Sequence, residues 1–310
     1  MTKPPRRFSA IFLVPTAAVG LLALLGFAGR WWWQFDLLAH FRPQYGVILL
    51  IGGLGLAATR RTRPAVVALL LAVLNLALVA PLYTGRPAPH DTTLDELTVL
   101  TFNVQASQPG RADVVRWLGT VNADVIFLNE ASTDWEADLL AADLPYTLAF
   151  PRRPGNVFGT AVLFKGAGQV RAIRLGDNQQ DVIELTMRHD GREVVLYGSH
   201  SLSPTTKQRS AARDDQLASV ERRILDSGRP GVMVGDFNAT PWSHSFPRSL
   251  VNSGEGFGLQ PTWRTGWEPL TIPIDHLLHT PDLTTVDRRV LPDQGSDHYP
   301  LLITLAWVDS

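Results

Sequence analysis

The chain divides into an apolar N-terminal part and a longer part in which short apolar runs alternate with polar segments. Three apolar segments fall within residues 1–83, at about 8–29, 45–59 and 65–83. A membrane-spanning helix needs about 20 predominantly apolar residues, so these segments predict a transmembrane anchor of about three helices. The middle segment is shorter and contains the closely spaced glycines Gly52, Gly53 and Gly55, and whether it crosses stays open. Buried core helices and a cleaved signal peptide are the alternatives.

The remainder of the chain has the pattern of a layered α/β domain. Residues 84–96 are polar and are predicted to form a linker, and residues 97–310 form the predicted globular domain. Apolar runs predict strands at Leu97–Phe102, Val125–Leu128, Thr160–Phe164, Val182–Met187, Val194–Tyr197, Val232–Val234, Leu277–His279 and Leu301–Leu305. Helical periodicity appears at 111–121 and 208–225. Many strands with few helices between them are typical of an α/β sandwich.

The distribution of basic residues predicts which side of the membrane each segment faces. Lys and Arg concentrate in short cytoplasmic loops next to membrane helices. Basic clusters precede the first apolar segment (Lys3, Arg6, Arg7) and separate the second from the third (Arg60, Arg61, Arg63), and Trp31–Trp33 follow the first, where an aromatic belt is expected. Three crossings from a cytoplasmic N-terminus predict a multi-pass membrane protein whose globular domain lies outside the cytoplasm. Two crossings would place that domain inside.

The net charge of the globular part of the chain bears on whether it binds nucleic acid. Residues 90–310 carry 28 acidic and 19 basic side chains, a formal −9, whereas residues 1–89 carry a formal +8. Proteins that follow duplex phosphates usually have a basic face, and pairs such as Arg152–Arg153 are more typical of solvated surface. The chain has no cysteine, which excludes disulfides and thiolate metal sites.

Polar side chains gather just after or before the apolar runs. In GDFNATP, Asp236 and Asn238 follow a predicted strand, and residues two apart in a strand share a face. A turn is the other interpretation of this segment. Further polar residues in similar positions are Asn103, Glu130, His200, Asp275, Asp297 and His298. Carboxylates, carboxamides and histidines together suit hydrolysis of a phosphoester with a hard divalent cation such as Mg²⁺.

The segments FNVQ, FLNEAS, GSHSLSP, GDFNATP, IDHLL and GSDHYP occur in the order and approximate spacing of a known family. Over residues 97–307 the chain resembles the endonuclease/exonuclease/phosphatase superfamily, and with the predicted anchor it looks like the membrane-anchored bacterial branch. The resemblance implies a four-layered, DNase I-like α/β sandwich and a hydrolase that depends on Mg²⁺ or Mn²⁺.

The same resemblance implies roles for five residues around the metal and the attacking water. Glu130 would be the principal metal ligand, with Asn103 beside it and Asp297 acting directly or through water. Asp236 would orient or deprotonate the water. Asn238 would hold that water or a phosphate oxygen, and Asn103 is also implied as a phosphate contact.

Three further residues are implied at the phosphoryl group. Asp275 would pair with His298 and favour its protonated form, so that His298 contacts the phosphate. His200 would be a second phosphate contact or the acid for the leaving group. Tyr197 is expected in the core, and His276, if it lies in a strand, is expected to point away from Asp275.

The leading hypothesis is therefore a membrane-anchored phosphodiesterase or phosphatase whose substrate is a phosphoester, with a lipid-linked phosphate as one candidate. An extracytoplasmic endonuclease or exonuclease is the first alternative, although the acidic domain does not favour nucleic acid. A non-catalytic binding module on the same scaffold is the second. No obligate protein partner is inferred.

Overall fold

The computed structural model describes residues 6–151, 159–176 and 180–309, with side chains from residue 10 onward. Lys3 and the pair Arg152–Arg153 lie outside these residues. The chain forms two compact units. The first consists of Met1–Thr84 and Thr240–His244, and the second of Gly85–Ala239 and Ser245–Ser310.

The first unit is helical. Its helices are α1 (Arg6–Leu25), α2 (Trp33–Ala39), α3 (Arg42–Ala58), α4 (Thr62–Val79) and the short α5 (Pro81–Thr84). Two stretches, Ala10–Ala28 and Thr62–Val79, are long and apolar enough to cross a membrane. The pair α2 and α3, bent by 65°, would make a third if it acts as one span. The middle predicted segment lies mostly in α3, the longer helix of this bent pair.

Two buried charges lie within the first unit. Arg42 donates from Nη1 to the carbonyl oxygen of Ala23 at 2.7 Å and to Oδ1 of Asn75 at 3.0 Å. The carboxylate of Asp36 accepts from the hydroxyl of Ser243 at 2.8 Å and from the backbone N–H of His244 at 3.1 Å. A charge buried in an apolar bundle is tolerated only when it is hydrogen-bonded. These hydrogen bonds therefore tie Arg42 to the helices that contain Ala23 and Asn75, and Asp36 to the segment Thr240–His244.

The second unit contains two sheets of six strands each. The first sheet has the order β11-β12-β1-β2-β4-β3 and uses β1 (Leu97–Asn103), β2 (Val125–Ala131), β3 (Thr147–Ala149), β4 (Gly159–Phe164), β11 (Leu283–Val290) and β12 (Leu301–Trp307). The second has the order β5-β6-β7-β8-β10-β9 and uses β5 (Gly168–Ile173), β6 (Val182–His189), β7 (Arg192–His200), β8 (Gly231–Asp236), β9 (Val251–Asn252) and β10 (Asp275–His279).

Three apolar clusters hold the sheets and helices in four layers. One cluster lies between the sheets and includes Phe127 and Val234. A second packs the outer face of the first sheet under α6 (Arg111–Leu118) and α7 (Thr133–Ala141). The third packs the outer face of the second sheet under α8 (Lys207–Ser227). The predicted α/β sandwich is confirmed, because both faces of each sheet are apolar and each finds a partner layer.

All eight predicted strands and both predicted helices are present, and the elements that the pattern missed share a weak apolar signal. They are β3, β5, β9, β11 and α7. Strand β5 is an exposed edge strand, with no fully buried residue along its length. Strand β11 carries charged residues and a register shift between Thr285 and Asp287, so its alternation is broken.

The predicted linker is held along part of its length within the second unit. The backbone N–H of Ala88 donates to Oγ1 of Thr284 at 2.9 Å, and that of Asp91 donates to the carbonyl oxygen of Trp307 at 2.9 Å. His90 also forms an isolated bridge with Val308. This segment therefore lies against the carboxyl end of β12.

In each sheet, the ends of neighbouring strands lie at the site. Strands β1 and β2 are parallel, and so are β7 and β8. Their carboxyl ends carry Asn103, Glu130, His200 and Asp236, whereas β10 runs antiparallel to β8 and begins with Asp275 opposite Asp236. Strand ends from both sheets thus supply the polar residues that the sequence singled out.

Gly235, the residue before Asp236, tolerates no side chain. Its φ is +135°, and a Cβ there would lie 2.0 Å from the carbonyl oxygen of Ser199 in β7. We expect Gly235→Ala to destabilise the protein by more than the roughly 1–3 kcal/mol of backbone strain alone, because β7 and β8 must also separate. Thermal unfolding of the purified full-length protein in detergent measures this effect.

Gly191→Ala is the matched control for this prediction. Gly191 also has a positive φ of +76°, but no atom lies within 4 Å of the position that a Cβ would take. It should therefore show the strain without the clash. Equal losses in the two variants would contradict the close approach of the strands.

Candidate active site

The first sheet contributes a carboxylate and a carboxamide that contact each other. Asn103 and Asn129 are paired in register at the ends of β1 and β2, and Glu130 follows with a φ of +60° at an irregularity in the β2–β4 ladder. Nδ2 of Asn103 donates to Oε1 of Glu130 at 3.1 Å, and the N–H of Ala106 donates to Oε2 at 3.2 Å. The Glu130 side chain remains 32% exposed, so ligands can reach it.

The second sheet contributes Asp236 and Asn238, which meet through a turn. The strand ends at Asp236, and Asn238 has a φ of +48°, so strand alternation does not bring the two side chains together. Instead the N–H of Asn238 donates to Oδ1 of Asp236 at 2.8 Å, and Nδ2 of Asn238 donates to Oδ2 at 3.2 Å. GDFN therefore forms an Asx turn, and this turn holds the two polar side chains together.

Asp236 also connects the two sheets. Its Oδ2 accepts from Nδ2 of Asn103 at 3.2 Å, and the side chain is 1% exposed. Burial raises the pKa of Asp236 to about 7, and the nearby Asp275 carboxylate acts in the same direction. Because the pKa lies near neutrality, this carboxylate is poised to accept a proton from a bound water.

Asp275 and His298 form a buried ion pair. Nδ1 of His298 donates to Oδ2 of Asp275 at 2.8 Å, and Nε2 lies 3.8 Å from Oδ2 of Asp236. Burial alone would lower the pKa of His298, but Asp275, followed by Asp236 and Asp297, more than offsets it and raises the pKa to about 9. The imidazole is therefore positively charged at neutral pH and faces the same space as Asp236.

His200 lies across from this pair. Its Nε2 is 3.8 Å from Oε1 of Glu130 and 3.9 Å from Oδ2 of Asp236. Burial lowers the pKa of His200, with His298 acting in the same direction and Glu130 against it. The neutral imidazole is thus favoured, and its two nitrogens divide into one donor and one acceptor.

Asp297 completes the predicted set from the loop before β12. Its Oδ2 accepts from Nε1 of Trp263 at 3.2 Å, and its charge contributes to the raised pKa of His298. All eight predicted site residues therefore lie at one edge of the sandwich. Their individual roles remain predictions.

The structure also shows supporting residues that the sequence did not single out. The hydroxyl of Ser296 donates to the carbonyl oxygen of Asn103 at 2.7 Å and accepts from the N–H of His298 at 3.2 Å. Oγ1 of Thr262 accepts from the N–H of Asp275 at 3.2 Å. Trp263 was missed as well. No local pattern around Trp263 signals its contact with a residue 34 positions later.

Residues that the sequence left outside the site lie elsewhere in the structure. Tyr197 is fully buried in the core under α8, as expected. His276 does point away from Asp275, because it packs between Phe237 and Phe246 and contacts the carbonyl oxygen of Ala239 at 2.9 Å. Burial lowers the pKa of His276 to about 3, which marks it as a neutral structural histidine.

The donor set fits a hard divalent cation. Ligand atoms of Asp236, Asp275 and His298 lie within 4.8 Å of one another. However, His298 is held protonated by Asp275 and so cannot ligate a metal in that form. The pair Glu130 and Asn103 is more exposed and offers oxygen ligands, which Mg²⁺ prefers. The arrangement therefore favours the Glu130 side of the site for a metal and leaves His298 as a cationic partner.

The raised pKa of His298 gives a direct prediction. In Asp275→Asn the imidazole loses its closest carboxylate while burial still disfavours its charge, so its titration midpoint should fall by more than one pH unit from about 9. Nuclear magnetic resonance titration of the metal-free protein measures this midpoint. The exposed Asp226→Asn is the control and should leave it unchanged. A midpoint unaltered in Asp275→Asn would contradict the ion pair.

Comparison with known proteins agrees with this architecture. The chain is 26% identical over 232 residues to a UPF0294 protein of Yersinia pseudotuberculosis, covering 71% of this chain and 86% of the relative. Truncated Caenorhabditis elegans TDP2 has a similar structure, with a TM-score of 0.59 and 18% identity over 68% of this chain and 98% of that chain. An endonuclease/exonuclease/phosphatase family protein from Bacteroides thetaiotaomicron has a TM-score of 0.54 and 17% identity. The match covers 73% of this chain and 100% of that chain.

The sequence model described as "Endonuclease/Exonuclease/phosphatase family" matches residues 100–298, well over half of the chain. That range includes all eight polar residues at the edge of the sandwich. The DNase I-like fold expected from the motifs is therefore confirmed, and the chain belongs to the endonuclease/exonuclease/phosphatase family.

Proposed function

We propose that the protein is a membrane-attached phosphoesterase that depends on a divalent cation. The observation that carries this proposal is the placement of a protonated imidazole, His298, 3.8 Å from Oδ2 of Asp236, whose pKa lies near neutrality. One side chain is suited to contact a phosphoryl oxygen and the other to accept a proton from water. The family consists of hydrolases of phosphoesters, which agrees with this division.

The attacking water is positioned by Asp236 and Asn238. Oδ2 of Asp236 takes hydrogen bonds from the carboxamides of Asn103 and Asn238, so its orientation is fixed before any ligand binds. Such preorganisation lowers the barrier because the acceptor does not need to reorient during the reaction. Asp236 accepts the proton of the water as the water oxygen bonds to phosphorus, while the ester bond from phosphorus to the leaving oxygen breaks and that oxygen departs with the electron pair and takes a proton from solvent.

His298 binds the phosphoryl group as a cation. The carboxylate of Asp275 keeps the ring charged and fixes its direction through Nδ1, which leaves Nε2 free to donate to a non-bridging oxygen. The neutral His200 is suited to a second phosphate contact, because a lowered pKa makes it a poor source of a proton for the leaving group. Of the two roles implied for His200, the structure favours the phosphate contact.

Glu130 and Asn103 would hold the cation, with Asp297 contributing directly or through water. When bound, a divalent cation offsets the charge that develops on the phosphoryl and leaving oxygens. The N–H of Ala106 and the carboxamide of Asn103 already orient the Glu130 carboxylate. Mg²⁺ is proposed, with Mn²⁺ as the alternative, since both accept carboxylate and carboxamide oxygens.

The helices of the first unit favour a substrate at a membrane. Two of them, and a third if the bent pair is one span, are long and apolar enough to cross a bilayer. A lipid-linked phosphate is therefore proposed as the substrate class. A nuclease remains the alternative, since D. rerio TDP2, which shares the fold, is known in complex with a single-strand DNA product. The formal −9 of residues 90–310 works against a nucleic acid substrate.

Two substitutions test the proposed chemistry. Glu130→Gln removes a ligand charge and His298→Ala removes the cation beside Asp236, so each should lower phosphate-ester hydrolysis by about 100-fold or more. The assay uses purified full-length protein with Mg²⁺ or Mn²⁺ and a panel of phospholipids, prenyl phosphates and plasmid DNA. Glu193→Gln and His189→Ala, at the far end of the β6–β7 hairpin, are the controls.

The panel separates the alternatives. Release of phosphate or headgroup from lipids without nicking of plasmid supports the proposal, whereas efficient nicking without lipid hydrolysis supports the nuclease. Hydrolysis that survives both active-site substitutions would remove the assignment of the site. Binding without turnover of any substrate would favour the non-catalytic module.

The proposed location is a separate prediction. Three crossings place residues 85–310 outside the cytoplasm, and two crossings place them inside. A reporter that is active only outside the cytoplasm, fused after residue 310, should be active in bacterial cells. A reporter that fluoresces only inside, fused at the same position, should be silent. The opposite pair of results would reverse the topology.

A further inference from the structure

The side chain of Asn129 lies beneath the site and joins the two sheets. Its Oδ1 accepts from the backbone N–H of Asp236 in β8 at 3.2 Å. Its Nδ2 donates to Oγ1 of Thr160 in β4 at 3.2 Å. The residue is fully buried, as expected for an inward-facing position two residues after Phe127, which lies in the core between the sheets.

The surroundings fix the direction of this carboxamide. The backbone nitrogen of Asp236 is a donor only, so the atom of Asn129 that faces it must be the oxygen. The nitrogen then faces Thr160, whose hydroxyl can accept. Gly235 brings the strand close, since a Cβ there would lie only 3.2 Å from Oδ1 of Asn129. A larger or apolar side chain in β2 could not make this contact.

Asn129 stands between the two carboxylates on which the proposed chemistry depends. Glu130 is its neighbour in β2, and Asp236 is the residue whose backbone it holds. The backbone of Asn129 is itself fixed, because its carbonyl oxygen accepts from the N–H of Val104 at 3.0 Å, just beyond Asn103. Through its backbone and its carboxamide, this one buried residue therefore relates the ends of β1 and β2 to the end of β8.

We propose that Asn129 is a positioning residue that sets the spacing between the metal-ligand carboxylate of Glu130 and the water-positioning carboxylate of Asp236. This inference rests on the proposed function of the site and assigns a residue to it that touches neither the substrate nor the metal. The other side-chain hydrogen bond from β1 or β2 to the end of β8, among the described residues, joins Asn103 to Asp236, and both of these side chains also serve the reaction.

The test compares Asn129→Ala with a matched buried contact at the opposite end of the same strand. Oγ1 of Thr280 accepts from the N–H of Gly231, the first residue of β8, at 3.1 Å, and Thr280 is 6% exposed. Thr280→Val removes a side-chain acceptor from a backbone donor of β8, as Asn129→Ala does, but far from the site. Full-length protein in detergent is used, with Mn²⁺ binding followed by electron paramagnetic resonance and hydrolysis followed on the best substrate of the panel.

We expect Asn129→Ala to weaken Mn²⁺ binding and to lower kcat by about 10–100-fold, the range found for partners that orient metal ligands, with a smaller change in KM. Thr280→Val should lower the unfolding temperature and leave Mn²⁺ affinity and kcat within about two-fold of the parent. Equal losses of affinity and kcat in the two variants would overturn the proposal, because the role of Asn129 would then be stability alone. Unchanged affinity and kcat in folded Asn129→Ala would overturn it as well.

Substitutions at Thr160 keep the proposal testable if Asn129→Ala does not fold. Thr160→Val removes the acceptor that orients the carboxamide and should weaken Mn²⁺ binding several-fold, whereas Thr160→Ser retains a hydroxyl and should restore it. A Thr160→Val variant with the Mn²⁺ affinity of the parent would contradict the inference. Because Mn²⁺ binding needs no substrate, this readout still decides the role of Asn129 if no phosphoester is hydrolysed and the proposed function fails.

Discussion

The burial of the Asp236 carboxylate is the constraint on which the rest of the site depends. A carboxylate that is 1% exposed needs hydrogen-bond donors, and here they come from both sheets: the carboxamide of Asn103 from one and the N–H and carboxamide of Asn238 from the other. Losing the N–H of Asn238 would leave Oδ1 without a donor, and losing either carboxamide would leave Oδ2 with one donor in place of two. The sheets therefore cannot slide past each other at this edge without disrupting the site, and folding and catalytic geometry are satisfied by the same contacts.

The pKa values of Asp236 and His298 are both raised, but for different reasons. Asp236 is raised mainly because it is buried, and His298 is raised because carboxylates surround it in spite of burial. Between about pH 7 and 9 the pair can exist as carboxylate and imidazolium. Neighbouring groups whose pKa values are shifted so that one is charged as a base and the other as an acid are typical of sites of acid–base chemistry. The pKa of the structural histidine His276 is lowered instead, mainly because the ring is buried. Its hydrogen-bond partners are backbone carbonyl oxygens.

Much of the fold could be predicted from sequence because its central strands are continuous apolar runs. Strands β1, β2, β7 and β8 are buried on both faces, and their polar ends stand out against the runs that precede them. Edge strands such as β5 gave no such signal, because solvent covers one side and polar residues are tolerated there. At the site, the ionisable residues and the carboxamides Asn103 and Asn238 could be selected, but Asn129, Thr262 and Ser296 could not. Their importance comes from contacts between segments up to 193 residues apart, which no local pattern encodes.

The helical unit includes Thr240–His244, a segment that directly follows the Asn238 turn in the chain. Its polar groups form hydrogen bonds inside that unit. The hydroxyl of Ser243 donates to the carboxylate of Asp36, and the indole N–H of Trp242 donates to the carbonyl oxygen of Leu78. The boundary between the two units is therefore crossed three times by the backbone. A fragment that starts after residue 84 would carry these five residues without the groups that satisfy them. Biochemistry on this protein is consequently best done on the intact chain, since a cut that removes the helices also strips a loop that begins two residues after Asn238.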